Sequence, residues 1–444
     1  MKNAMKMIAR ILVITVIAVS CVAAVPQGSY AGSYPEIYDM QGDQYLYPGQ
    51  QGVKLYVYLD RAVDGVDLMY NQSGSWVKFK SCASEDSYND YWSCILYQDQ
   101  APKPRMEFRF NIYYNDHMGL RYSDTFIVEW TGFRQMSRIA GKDRFKTAVE
   151  VSHSLLDLDN SARYNYVIVA SGMDFADALS GSYLSAAVGG APILLVSNND
   201  QVIQDTADEI YSHLSSDGMV FLLGGKAAVP EELRTALIKK GIYSNRIYRF
   251  NGKNRYDTNM KILEWCDYYT KTPQLMVCSG TSFADALSAS ATGYPIMLVG
   301  NELTLEQEAF FMEHDPFIYL IGGTGAVSQA VEDEIHYDFG YMFQRLSGKD
   351  RYKTSKEVAE YFFPHQPFYA VLAYGQNFPD GLSGGPLARY LKAPLLLADN
   401  DNYMPAEDYF YGHDPRVAIV LGGESLISDY TGNRILQRYE YAAG

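Results

Sequence analysis

Three short stretches carry the residue types that could do chemistry. "SGMDFADALSG" at residues 171–181, "SGTSFADALSA" at 279–289 and "YGQNFPDGLSG" at 374–384 each set a glycine turn, an aromatic residue and an aspartate at fixed offsets. A basic element precedes each one: "RIAGKDRFKTA" from Arg138, "RFNGKNRYDTN" from Arg249 and "RLSGKDRYKTS" from Arg345. Lys142 and Arg144, Lys253 and Arg255, and Lys349 and Arg351 therefore follow the same glycine. Cations at matched offsets can hold phosphate or carboxylate groups through charge-assisted hydrogen bonds. Asp177, Asp285 and Asp380 fall where a strand gives way to a helix, and the free amides and dipole of a helix start favour anions. A carboxylate in that first turn also stabilises its own helix by about 0.3–1 kcal/mol. Each aspartate thus either contacts a ligand or braces its corner. Each arginine either faces a ligand or fixes the architecture by pairing with the aspartate or a neighbouring unit.

Several chemistries lack their residues. A dinucleotide site wants GxGxxG after its first strand, and the three stretches lack that glycine spacing. A phosphate loop ending in GK[ST] is absent, as is a recognisable serine or cysteine nucleophile motif. His117 is the only histidine before residue 135, and no cysteine has metal-ligand spacing, so no metal or cofactor is expected. "HDP" at His314 and His413 is expected to be a turn with its aspartate as a local cap.

The elements that must position these residues recur in the same order. Each unit offers an apolar strand ("YVIVAS", "LMVCSG", "AVLAYG"), then the glycine-aspartate corner, then a second strand ("APILLV", "YPIMLV", "APLLLA"). A third strand ends in paired glycines: "MVFLLGG", "FIYLIGG" and "VAIVLGG". Short continuous apolar runs alternating with helical patterns such as "VPEELRTALIKKG" predict parallel strands covered by helices on both faces. Residues 135–246, 247–342 and 343–444 are therefore expected to be three small doubly wound α/β modules.

Before them, residues 32–134 alternate apolar and polar positions in short runs such as "GVKLYVYLD" and "MEFRFNIYYN", which predicts a β-sandwich. Trp76, Trp92 and Trp130 lie in this head. Trp76 and Trp92 are candidates for stacking on sugar rings, against the alternative that they pack the core. Residues 1–31 place Lys2, Lys6 and Arg10 ahead of "ILVITVIAVSCVAAV" and a small-residue stretch, the layout of a secretory signal peptide cleaved after Ala31. No membrane span is expected after its removal. In an oxidising exterior Cys82 and Cys94 would close a disulfide, while Cys266 and Cys278 form a second pair or stay buried thiols. The net charge of −15 argues against nucleic acid as a partner.

The "GKDRFKT", "FADALS", "APILLV" and "LLGG" elements and their counterparts, covering roughly residues 138–440, resemble the bacterial cell wall binding repeat 2 family. That resemblance implies three Rossmann-like modules in a pseudo-threefold arrangement in a secreted Gram-positive surface protein. It further implies a noncatalytic anchor whose partner is an anionic wall polymer, teichoic-acid-like or a secondary polysaccharide. The lysines, arginines and aspartates named above would be its polymer-binding residues. Anchoring is expected to be noncovalent, since no sorting signal with a hydrophobic tail follows "ILQRYEYAAG". The head would bind a glycan or protein ligand. The alternative is a wall-targeted carbohydrate-binding protein or hydrolase whose head carries the activity, with the acids of "SEDSYNDYW" as its candidates. The third stretch departs from the pattern with Tyr374, Pro379 and Gly381, which makes its site the weakest of the three.

Overall fold

A computed structural model describes residues 15–17, 37–47, 50–72, 75–97, 105–114, 117–123, 125–129, 134–159, 161–269 and 274–437, and the chain divides into two units between Phe133 and Arg134. Trp130 and the expected cleavage point at Ala31 lie outside the described residues.

The first unit contains strands β1 (Thr15–Ile17), β2 (Ile37–Tyr47), β3 (Gln50–Leu59), β4 (Gly65–Gln72), β5 (Ser75–Ser81), β6 (Ala83–Ser84), β7 (Tyr91–Tyr97), β8 (Arg105–Tyr114), β9 (Gly119–Tyr122) and β10 (Phe126–Glu129). They form two antiparallel sheets, ordered β1-β10-β8-β4-β5, with β9 on β8, and β2-β3-β7-β6. β1 belongs to the segment expected to be a leader, and in the full chain it pairs with β10. Alternation decides which side chains go in: Leu55, Val57 and Leu59 from one sheet meet Leu68, Phe108, Phe110 and Ile112 from the other. Each such side chain contributes roughly 1.5–3 kcal/mol when fully buried. Cys82 and Cys94 sit in this core as free thiols, so the expected bridge is not formed in the structure. Contact with Cys94, and then burial, pushes the Cys82 thiol far above its usual range.

The second unit alternates strands and helices. It opens with β11 (Gln135–Ile139), α1 (Arg144–Asp159), β12 (Tyr164–Ser171), α2 (Ala176–Ala187), β13 (Ile193–Val196), α3 (Asp200–His213), β14 (Leu214–Leu223) and α4 (Glu231–Lys239). The second repeat follows with β15 (Ile247–Phe250), α5 (Arg255–Tyr269), β16 (Gln274–Ser279), α6 (Ala284–Ala289), β17 (Ile296–Val299), α7 (Leu305–His314), β18 (Phe317–Ile321) and α8 (Gln329–Asp333). The third comprises β19 (Phe343–Leu346), α9 (Arg351–Phe362), β20 (Tyr369–Tyr374), α10 (Gly384–Tyr390), β21 (Leu395–Ala398), α11 (Met404–His413), β22 (Val417–Leu421) and α12 (Asp429–Gln437).

These strands make three parallel four-stranded sheets, ordered β13-β12-β14-β15, β17-β16-β18-β19 and β21-β20-β22-β11. β13, β17 and β21 are buried along their whole length, which is why "ILLV", "IMLV" and "LLLA" read as unbroken apolar runs. The fourth strand of every sheet comes from the opening of another repeat. β15 opens the second repeat yet pairs with β14, and β19 opens the third yet pairs with β18. β11 returns to β22, so the three sheets close into a cycle. Helices seal the same joints, α2 against α5, α6 against α9 and α10 against α1.

The "GKxR" element folds alike three times for a visible reason. The hydroxyls of Thr147, Thr258 and Thr354 accept from the amides of Gly141, Gly252 and Gly348 at 3.1, 3.0 and 3.0 Å. A Cβ on any of these glycines would run into the start of the following helix. Asp143, Asn254 and Asp350 then cap α1, α5 and α9 by accepting amides of the first turn. The "HDP" turns end α7 and α11 as expected, with Asp315 and Asp414 as the capping residues in left-handed backbone at φ of 46° and 52°.

Candidate functional site

In each sheet the first strand of the corner lies between the second and third, so the chain reverses its winding direction there. Such a reversal opens a crevice at the carboxyl ends of the strands, where open α/β sheets place ligands. Asp177 and Asp285 stand in the first turns of α2 and α6 at that end. The first glycine of each pair faces them: Gly224, Gly322 and Gly422 have φ of 95°, 107° and 90°. A Cβ on Gly224 or Gly322 would collide with Asp177 or Asp285, and one on Gly422 would come into tight contact with Asp380. The paired glycines are therefore fixed both by backbone conformation and by the carboxylate beside them. Asp380 differs in one respect, because α10 begins only at Gly384 and this aspartate lies ahead of the helix. Pro379 and Gly381, a fixed ring and a poor helix former, account for the late start.

Burial pushes Asp177 up to about 6, with Asp174 adding to the rise and Arg255 opposing it. Burial pushes Asp285 up to about 6 as well, against the pull of Arg351. In both cases the opposing arginine comes from the next repeat.

The three arginines do two things at once. Arg144, Arg255 and Arg351 donate to the carbonyls of Gly172, Gly280 and Gly375 at 2.7, 2.6 and 2.8 Å, fixing the corner of their own repeat. Arg255 also lies 5.2 Å from the ring centre of Phe175 and pairs with Asp174 at 3.0 Å, both in the first repeat. Arg351 lies 5.4 Å from the ring centre of Phe283 in the second. Such cation–ring contacts contribute about 0.5–1 kcal/mol at exposed sites. The phenylalanines themselves meet: Phe175, Phe283 and Phe378 stand edge to face, with centroids 6.2, 5.7 and 5.8 Å apart. All three rings are half-buried. The three corners, far apart in sequence, thus converge on one triangle of aromatic rings.

Lys142, Lys253 and Lys349 are exposed, and none has an ion pair among the described residues. They are the members of the basic element that the fold leaves available.

Sequence reasoning passed over the first arginine of each element. Arg138 donates to the carbonyls of Gly422 and Ile427, both at 2.7 Å, and pairs with Asp429. Arg249 reaches Gly224 and Val229, and Arg345 reaches Gly322 with a 2.5 Å pair to Glu332. Each thereby locks the glycine pair at the end of the neighbouring strand in its own sheet, a strand supplied by another repeat. Their fixed place ahead of "GK" was the available signal. The aromatic triangle was equally present in the sequence as the phenylalanine of each corner, but its convergence requires the closed cycle.

In the first unit, Trp76 has the Arg109 guanidinium 4.4 Å from its ring centre, which covers one face of the ring. Trp92 packs against the core and donates its indole N–H to the Asn89 carbonyl at 2.9 Å. Trp92 also lines a cavity of about 560 Å³ with Asp64, Asp67, Lys78 and His117. Asp67 is held there by Lys78 at 2.9 Å and Ser81 at 2.8 Å.

Comparison with known proteins agrees with this threefold plan. The family described as Cell wall binding domain 2 (CWB2) matches residues 138–234, 249–332 and 345–431, starting each time at the arginine that locks the glycine pair of another repeat. The chain is 26% identical over 308 residues to N-acetylmuramoyl-L-alanine amidase LytC of Bacillus subtilis (strain 168), covering 68% of this chain and 58% of that protein. Among solved structures, Cwp6 from Clostridium difficile aligns with a TM-score of 0.63 at 18% identity, over 87% of this chain and 65% of Cwp6. Cwp8 from the same organism aligns at 0.59 and 22% identity, over 84% of this chain and 64% of its own. The chain spans less than two thirds of the length of each of these proteins. With three tandem matches covering more than half of its residues, the chain belongs to the cell wall binding domain 2 family.

Proposed function

We propose that the chain anchors noncovalently to the Gram-positive wall by binding an anionic secondary wall polymer. In this reading three Rossmann-like modules surround a pseudo-threefold axis and a β-sandwich head is displayed. Family membership indicates the cell wall or cell surface as its location, and no helix among the described residues is long and apolar enough to cross a membrane. The observation that carries the ligand reading is the convergence of three arginine-ringed corners in a protein of net charge −15. Arg144, Arg255 and Arg351 hold the corners, and the exposed Lys142, Lys253 and Lys349 supply the charge that meets polymer phosphate or carboxylate. Asp177, Asp285 and Asp380 shape the crevice beside them.

Charge reversal of the three lysines should release the protein from purified walls while its circular dichroism stays unchanged. Unaltered retention would remove the lysines from the site.

A second reading assigns activity to the head, favoured by the amidase named among the relatives and by the cavity around Asp64, Asp67 and His117. Incubation of the full chain with peptidoglycan separates the two, since turnover abolished by His117→Ala would make the head an enzyme. Outside the cell the adjoining thiols of Cys82 and Cys94 would close into a bridge. Intact mass of the secreted protein, lower by two hydrogens, is the expected sign.

A further inference from the structure

We propose that His153, Glu209 and His213 form a binding site for a divalent transition-metal ion of the zinc class on the first repeat. Glu209 and His213 are four residues apart on α3 and so share one face of that helix. His153 approaches from α1. Its Nε2 lies 3.0 Å from Glu209 Oε1, and His213 Nδ1 lies 2.8 Å from the same oxygen. One ligand atom from each residue can be chosen so that all three fall within 4.8 Å of one another. Donors bound to zinc at about 2.0–2.1 Å sit about 3.3 Å apart in a tetrahedron, so donors within 4.8 Å of one another must close by about 1.5 Å or less. Two imidazoles and a carboxylate are a donor set suited to zinc, and all three side chains are half-buried, leaving a coordination position open to water.

The other two repeats give the independent observation. α7 and α11 also end in histidine, His314 and His413, and all three rings direct Nδ1 toward the carbonyl four residues back: Glu209 at 3.2 Å, Phe310 at 2.8 Å and Tyr409 at 3.2 Å. In the second and third repeats the residue at that position is aromatic and lies flat on the histidine, with centroids 4.0 and 4.2 Å apart. The first repeat replaces that stacked ring by Glu209 and adds His153 opposite it. His314 meets one carboxylate, Asp267 at 2.9 Å, and no second imidazole among the described residues. The first repeat has thus exchanged a shared packing contact for three convergent donors. Spacing could not reveal this site, because His153 and Glu209 are 56 residues apart and share no motif.

The test uses the full chain without an affinity tag, stripped by chelation and titrated with Zn²⁺ by calorimetry and with Co²⁺ by visible absorption. The expected result is a saturable site with tetrahedral Co²⁺ absorption and a thermal midpoint raised by Zn²⁺. Both should be lost in His153→Gln and His213→Gln and kept in His314→Gln, with all variants folded by circular dichroism. Absence of saturable binding to the parent would overturn the proposal, and so would binding that survives in both His153→Gln and His213→Gln. Glu209→Gln, which keeps the shape of the side chain, provides the second variant should a histidine change impair folding. Retained binding in that variant, with the Co²⁺ spectrum unaltered, would also count against the site.

Discussion

Asp177 and Asp285 are carboxylates kept near pH 6 by burial, each facing an arginine from the next repeat. Because the folded value lies above the ordinary 3.8, the native state binds more protons than the unfolded chain between about pH 4 and 6. The stability these groups contribute is fully present below that window and is lost as pH rises through about 6. Replacing both by asparagine should therefore narrow the difference in thermal midpoint between pH 5 and pH 7.5; an unchanged difference would mean that other groups set it. The arginines invite the opposite expectation from the lysines. Arg255→Glu removes a 2.6 Å hydrogen bond to Gly280 and a pair to Asp174, and should lower stability by roughly 1–3 kcal/mol in urea unfolding. Reversal of Lys253 should leave stability within about 0.5 kcal/mol. At this scale the sequence showed which residues recur but left open what they touch. Whether an arginine faces a ligand or a carbonyl depends on a chain reversal that spacing does not encode.

At the scale of elements, the glycine pairs and the "GKxR" turns are the most constrained parts of the fold. Gly322→Ala places a Cβ against Asp285 at a φ of 107° and should cost more than about 1 kcal/mol. The neighbouring Gly323 has open space where a Cβ would lie and should tolerate alanine far better, so the pair of variants measured by thermal unfolding isolates the strain. The alternation of apolar strands and helices was legible because parallel strands buried on both faces must be apolar without a break. Two features were not. The late start of α10 follows from Pro379 and Gly381, which the sequence showed as departures without revealing that Asp380 would fall outside the helix. The "HDP" aspartates cap their helices as expected, but spacing did not show that Asp315 and Asp414 would do so in left-handed backbone at positive φ.

The whole molecule adds a property that no single repeat has. Since β11, β15 and β19 each complete the sheet of another repeat, the sequence repeat and the sheet are out of step by one strand. Periodicity locates the repeats but cannot show this offset, because each opening strand resembles its counterparts whichever sheet it joins. Ser137→Pro, in the middle of β11, should weaken the joint with β22 and raise hydrogen exchange in β20 and β22 above that in β16 and β18. Equal protection in the two sheets would show that closure adds little. Three corners gathered by such a cycle can present repeated cations to a repeating polymer, which is the central claim. Co-sedimentation of the full chain with purified Gram-positive walls, before and after chemical removal of the anionic polymer, tests it most directly. Retention should fall by roughly tenfold or more on stripped walls and fall equally when Lys142, Lys253 and Lys349 are all changed to glutamate. Undiminished binding to stripped walls would contradict polymer anchoring.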